Sequence, residues 1–259
     1  MNTFLGIYRS PRFRAFAPLL VVLVLWWLAT SRGWVSTLIL VPFDRLWAAV
    51  EDPLVRHNLL SGLLATSLRL FQGYLIGVSI GLALGIGMGL SPVCDRIMGP
   101  SFHAVRQVAI FGWIPLLTSW FGNGDIAKIA FVAIGAAKPV VMGTYEGIRS
   151  VPQQYRELGR VLGFSRSQML RKIILPSALP SITSGLQLSL IFSWFAAIGA
   201  EYAIGVLSAG IGSVVMSAQE QFRTDVVLVG VIIISVVGIT TNRLLRKIPK
   251  HFFAWKESA

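Results

Sequence analysis

Arg69, Lys138 and Glu201 are ionisable residues inside or at the edge of otherwise apolar stretches. A charge in hydrocarbon is costly, so such positions mark ion pairs, solute paths or gates. Arg69 and Glu201 fall near the same level of two stretches and can pair; with Tyr202 beside Glu201 they are candidates for an outer gate, although both can equally sit in interfacial water. Lys138, directly before Pro139, can offer positive charge to an anionic solute, snorkel to the inner headgroups, or pair with Glu146. Trp113 and Trp194 can line the same path or serve as packing and interface anchors.

The chemistry on offer is electrostatic. Cys94 is the only cysteine, and no Cys/His cluster has zinc or haem spacing. The sequence contains no His-Glu-x-x-His and no Gly-x-x-x-x-Gly-Lys-Ser/Thr phosphate loop, and its one Gly-x-Ser-x-Gly run, Gly77 to Gly81, falls inside the apolar second span and not on a strand-to-helix elbow. The reading is therefore no enzyme, no metal and no cofactor in this chain.

These residues must be positioned by membrane helices. Of 259 residues, 54% are apolar and 13% charged, about half the ~25% charge of a soluble domain; the mean hydropathy is +0.70. An all-α membrane protein of about six spans is expected, near 15–31, ending near Leu90, and near 105–121, 126–145, 178–200 and 226–242. It reads as one transmembrane domain: 1–56 holds the first span and an outer loop, 57–245 the core, and 246–259 a basic tail. His57 to Arg69 mixes polar and apolar positions and is expected at the outer interface before the chain turns in. The third span is short and contains Pro115, and Gly122-Asn123-Gly124-Asp125 reads as a tight turn into the fourth.

With the N-terminus inside, the inner segments hold sixteen of the 23 basic residues and only Asp95, Glu146, Glu157 and Glu257 of the 11 acids, so the whole net charge of +12 lies on one face. Topology and anionic headgroups account for that charge; nucleic acid need not be invoked. The second span carries Gly73, Gly77, Gly81, Gly85 and Gly89 at strict four-residue spacing, which lets another backbone approach closely and predicts a central place in the bundle.

The longest inner loop, Tyr145 to Ser177, is expected to form helix, glycine corner, helix. Ser150-Val151-Pro152-Gln153 reads as a capping box, and Gly163 ends the first helix. Ser165-Arg166-Ser167-Gln168 starts the second, which Pro176 should stop by Leu175. Leu158, Val161 and Leu162 give the first helix an apolar side, and Arg156 and Arg160 a basic one. A pair this short is not stable alone and is expected to be held between bundle and partner.

Glu157-Leu158-Gly159-Arg160-Val161-Leu162-Gly163, followed by Ile173-Ile174-Leu175-Pro176, resembles the cytoplasmic loop of permease subunits of binding-protein-dependent ABC importers. That family's pattern is Glu-Ala-Ala, Gly after three more residues, then Ile-x-Leu-Pro. Here Glu157, Gly163 and Leu175-Pro176 are kept, while Leu158 and Gly159 stand where alanines are usual. Leu40-Val41-Pro42, Ser67-Leu68-Arg69, Trp113-Ile114-Pro115-Leu116, Trp120-Phe121-Gly122, Ala200-Glu201 and Arg223-Thr224-Asp225-Val226-Val227 resemble the branch importing aliphatic sulfonates, taurine and nitrate. The resemblance covers about residues 38 to 245.

It implies a type I ABC importer-like fold in a bacterial inner membrane. It also implies a second permease subunit, commonly identical, two ATP-binding cassette subunits that hold ATP and Mg, and a periplasmic solute-binding protein. The 150–176 loop would be the coupling helix region, with Glu157 stabilising it and Gly163 making its corner. In that family the position of Lys138 is usually apolar or aromatic. The rival class, a secondary transporter or channel without an ATPase partner, would show inverted repeats and broken helices; no internal repeat is visible, and the basic loop would lack an explanation.

Overall fold

The computed structural model describes residues 11–37, 39–205 and 209–252; Arg9 and the end of the basic tail, 253–259, lie outside the described residues. Every element among them is helical: α1 Pro11–Ser31, α2 Phe43–Glu51, α3 Pro53–Leu90, α4 Pro92–Gln107, a 3₁₀ turn Ile110–Trp113, α5 Ile114–Phe121, α6 Asp125–Arg149, α7 Gln153–Val161, α8 Arg166–Met169, a π turn Leu170–Ile174, α9 Leu175–Ala203, α10 Ile211–Glu220 and α11 Thr224–Phe252. Among the described residues four helical runs are long and apolar enough to cross a membrane: Pro53–Leu90, Asp125–Arg149, Arg166–Ala203 and Thr224–Leu245. Leu20–Ser31 and Ile110–Phe121 are shorter apolar helical segments.

In the first half of the chain the helix boundaries differ from the hydropathy reading at His57 to Arg69 and at 105–121, each for a local reason. His57 to Arg69 is not a separate interfacial segment; it is the first part of α3, whose 38 residues run unbroken over about 57 Å. Asp52 accepts the backbone N–H groups of Leu54 and Val55 through Oδ1 at 2.9 and 3.4 Å, and Pro53 takes the first helical position, where its missing donor costs nothing. The expected third span, 105–121, is not one helix. Val108 and Ala109 are extended, and the chain restarts so that Pro115 falls in the first turn of α5. Gly122, at φ +72°, then turns the chain towards α6.

Among the described residues, those from 11 to 59 with 214–232 form one compact unit, and those from 60 to 213 with 233–252 another. In the first, Trp26 Nε1 donates to Val41 O at 2.9 Å and the Trp26 ring lies 5.4 Å from that of Phe43. Gly230 lets Val215 approach so closely that a Cβ there would collide with it.

The second unit is organised around α6. On one side the glycine stripe of α3 meets it residue by residue: a Cβ on Gly73, Gly77, Gly81, Gly85 or Gly89 would lie 2.6, 2.6, 2.7, 2.6 or 2.9 Å from Cβ of Val132, Ala136, Val140, Thr144 or Ile148. On the other side Gly143 faces Gly185 of α9, with 2.8 Å between a Cβ on Gly143 and Gly185 Cα. Ser181 and Ser189 of α9 donate to Gly143 O and Ala136 O of α6 at 2.9 and 2.8 Å. Small residues and hydroxyl hydrogen bonds replace the hydrophobic drive that lipid removes. The central helix is thus α6, with buried residues along its length, and α3 packs beside it rather than at the middle as its own glycines suggested.

Candidate functional site

A group of buried charges is assembled where α3, α6 and α9 converge. Arg69 and Glu201 are 7% and 2% exposed, and Arg69 Nη1 lies 2.9 Å from Glu201 Oε1. Arg69 Nε is 2.7 Å from Oδ1 of Asp125 in the first turn of α6, and Nη2 donates to Ala209 O at 3.2 Å. Thr66, one turn before Arg69, donates from Oγ1 to Glu201 Oε1 at 2.6 Å and accepts the N–H of Ile211 at 3.0 Å. The second Glu201 oxygen accepts the N–H of Gly212 at 2.8 Å. Gly210 has to be glycine, because a Cβ there would occupy the Glu201 carboxylate. Lys128, three residues after Asp125 and 1% exposed, is electrostatically coupled to Arg69, Glu201 and Asp125.

The cluster is charge-balanced, two cations against two carboxylates. Asp125 is half exposed; the three buried charges repay their desolvation only because most of the remaining lone pairs and protons find partners. Tyr202, next to Glu201, is 38% exposed. Sequence reasoning singled out Arg69 and Glu201 but not Lys128, Asp125, Thr66 or Gly210. Lys128 could have been found by the rule that picked Lys138, an ionisable residue in an apolar stretch; Thr66 and Gly210 carry no sequence signal of their own.

The other candidates lie elsewhere. Lys138 Nζ donates to Val108 O at 2.9 Å, the carbonyl at the break after α4, and forms no ion pair with Glu146. Trp194 Nε1 donates to Thr241 Oγ1 at 3.1 Å, and Trp113 packs against the same apolar cluster.

In the 150–176 loop, α7 starts differently from the sequence reading. Ser150 does not cap it: α6 runs on to Arg149, Ser150 Oγ donates back to Gly147 O at 3.0 Å, and Pro152 is the cap residue without a side-chain bond. Gln153 instead donates to Glu157 Oε1 at 2.7 Å. At the far end Phe164 N–H bonds Gly159 O and Gly163 N–H bonds Arg160 O, at 2.9 and 3.0 Å. With Gly163 at φ +69°, this is a Schellman closure.

Ser165 and Gln168 then form a reciprocal capping box. The helix it starts does not stop at Leu175. The π turn Leu170–Ile174 carries it straight into α9. A widened turn relieves the clash between the Pro176 ring and the carbonyl four residues back, and Pro176 itself sits in a first-turn position. Gly159 is buried, and a Cβ there would lie 2.6 Å from Met169 Cε and 2.7 Å from Ile173 Cδ1, so α7 presses directly on the start of the α9 run. Arg156 Nη2 donates to Ile148 O at 2.7 Å and fastens α7 to α6. On the outer side Tyr155, Leu158, Val161 and Leu162 are 52, 54, 84 and 59% exposed.

The described residues form a bundle of long apolar helices with a short, doubly anchored helix pair between two of them. The chain belongs to the family described as binding-protein-dependent transport system inner membrane component, whose model matches residues 73–252. It is 32% identical over 238 residues to a putative aliphatic sulfonates transport permease protein of Bacillus subtilis, covering 92% of this chain and 86% of that one. It is also 32% identical to the taurine transport system permease protein of Escherichia coli, over 92% of this chain and 87% of that one. A nitrate import permease of Leptolyngbya laminosa is 28% identical over 77% of this chain and 72% of its own length. Among solved structures, an amino acid ABC transporter has the same fold with a TM-score of 0.62 at 20% identity, over 76% of this chain and 94% of that one. A methionine ABC transporter chain in an inward-facing conformation gives 0.60 at 18%, over 76% of this chain and 99% of its own.

Proposed function

We propose that this permease carries a small anion of the sulfonate, taurine or nitrate kind across a bacterial inner membrane, driven by ATP hydrolysed in partner subunits. Two copies form the pore, two ATP-binding cassette subunits holding ATP and Mg dock on the inner face, and a periplasmic binding protein delivers the solute to the outer face. The N-terminus and the 150–176 loop are cytoplasmic, as the distribution of basic residues favours.

The observation that carries the coupling role is the outward apolar side of α7. Four large apolar or aromatic side chains there are more than half exposed, on a helix too short to persist alone. A surface of that kind is suited to a protein partner, and the bond to Ile148 O and the packing of Gly159 carry any push on α7 into α6 and α9. Glu157 steadies the first turns through Gln153, and Gly163 sets the corner. For the solute, the charges of Arg69 and Lys128 are balanced by Glu201 and Asp125, which leaves Lys138 as the cation in α6 without an acidic partner among the described residues.

The test is to purify the tagged chain in mild detergent, identify what accompanies it, and assay ATP hydrolysis in lipid. An ATP-binding subunit at one per permease, with hydrolysis stimulated by a solute-binding protein, is expected. A chain that purifies alone and transports under an ion gradient would overturn the reading in favour of a secondary transporter.

A further inference from the structure

Behind α7, away from its apolar side, lies a cavity of about 580 Å³ between the end of α3, the start of α4, the end of α6 and α7 itself. Its polar wall holds Arg96, Arg149, Arg156 and Arg160 against a single acid, Asp95. Asp95 is taken by Arg149, at 2.7 Å, and Arg156 spends one nitrogen on Ile148 O. Arg96 and Arg160 have no acidic partner among the described residues, so the wall keeps a net positive charge open to the cavity. Met88 and Leu90, from the last turn of the spanning helix α3, add apolar lining.

We infer that this cavity binds a phosphate-bearing anion, with Arg96 on α4 and Arg160 on α7 as the residues that grip it. The planar guanidinium fork matches phosphate oxygens in pairs, and a basic pocket between spanning helices is where an anionic headgroup binds. The volume suits a small ligand or headgroup. Two sources supply that chemistry: the headgroup of an anionic phospholipid, or a soluble phosphate. Leu90, part of that lining, lies at the end of a spanning helix, the level at which a lipid headgroup meets its acyl chains. A bound phosphate bridging Arg96 and Arg160 ties α7 to α4, a fastening additional to Arg156 and the packing of Gly159.

The experiment uses the full-length chain, delipidated in mild detergent, with native mass spectrometry after adding phosphatidylglycerol or phosphatidylcholine, and titration with inorganic phosphate alone. Wild type is expected to retain phosphatidylglycerol over phosphatidylcholine. The double variant Arg96→Gln/Arg160→Gln should lose about tenfold of that preference, while Arg243→Gln, which removes a basic residue elsewhere, should not. Phosphate binding that the double variant loses, without selective retention of phosphatidylglycerol, assigns the site to the soluble source. Equal retention of both lipids together with no phosphate binding, or a double variant that elutes and unfolds like wild type and binds as well, overturns the inference. Lipid retention is read without ATPase subunits, so its failure would leave the coupling role of α7 untouched.

Discussion

The carboxylate of Glu201 accepts the backbone N–H of Gly212 at 2.8 Å and the guanidinium of Arg69 at 2.9 Å. One side chain at the end of α9 therefore fixes both the helix α3 and the stretch of backbone that begins α10. Removing the carboxylate strips partners from two elements at once.

Glu201→Met should leave Arg69 and Lys128 buried with one acid between them, a loss of about 3–5 kcal/mol. Thermal unfolding of the purified protein should show a fall in midpoint and solute uptake should drop, whereas Glu201→Gln, which keeps the shape and part of the hydrogen bonding, should lose less. Equal unfolding midpoints for wild type and Glu201→Met would refute the structural weight given to the pair.

Gly210→Ala places a methyl group on the Glu201 carboxylate and should displace it, with a fall in stability of roughly 1–3 kcal/mol. Gly238→Ala, at a helical glycine with no atom near the added Cβ, should be neutral or slightly stabilising. The two variants compared by unfolding midpoint and uptake separate close approach from glycine content.

Gly77→Leu should prevent α3 from docking on α6, because the added side chain begins 2.5 Å from Ala133 O. Accumulation in membranes should fall severalfold, read by immunoblot of membrane fractions. Gly77→Ala should fall between wild type and Gly77→Leu.

Gly163→Ala strains the corner at φ +69° by about 1 kcal/mol, too little to prevent insertion. ATP hydrolysis by the assembled transporter should then proceed with reduced uptake, and Glu157→Ala should act in the same direction. Uptake equal to wild type in both variants would remove the coupling role from this corner.

Lys138→Met should reduce transport of an anionic solute severalfold if the ammonium faces the path. Since Lys138 also donates to Val108 O, a loss of transport accompanied by a lower unfolding midpoint would mark it as a fastening between α6 and the break after α4. Unchanged transport excludes it from the path.

What was legible in the sequence is what is decided locally. Gly163 and the Ser165–Gln168 capping box announce themselves within a few residues of the bonds they make. The glycine stripe declares a contact face for the same reason, since its spacing is a property of one helix. Its partner is not legible, because Val132, Ala136, Val140, Thr144 and Ile148 are as ordinary for a lipid-facing stretch as for a packed one.

Ser150 was misread because α6 extends beyond the apolar run, through Glu146 and Arg149, and takes Ser150 at its own end before α7 can use it. Pro176 does not stop the helix, because the π turn Leu170–Ile174 before it carries the chain into α9, and a widened turn of that kind has no short-range sequence signal. Arg69 and Glu201 were recognisable by the cost of their charges, whereas the hydroxyl of Thr66 and the bare backbone of Gly210 acquire meaning only once three helices have met.

The glycine stripe has one more consequence. Four residues exceed the 3.6 of a helical turn, so a line joining every fourth residue winds around α3 in the right-handed sense. The matching line on α6, from Val132 to Ile148, winds the same way. All five contacts can hold together only if the two helices wrap about each other right-handedly, opposite to the left-handed supercoil of a heptad. The period of five glycines thus sets the chirality of the crossing.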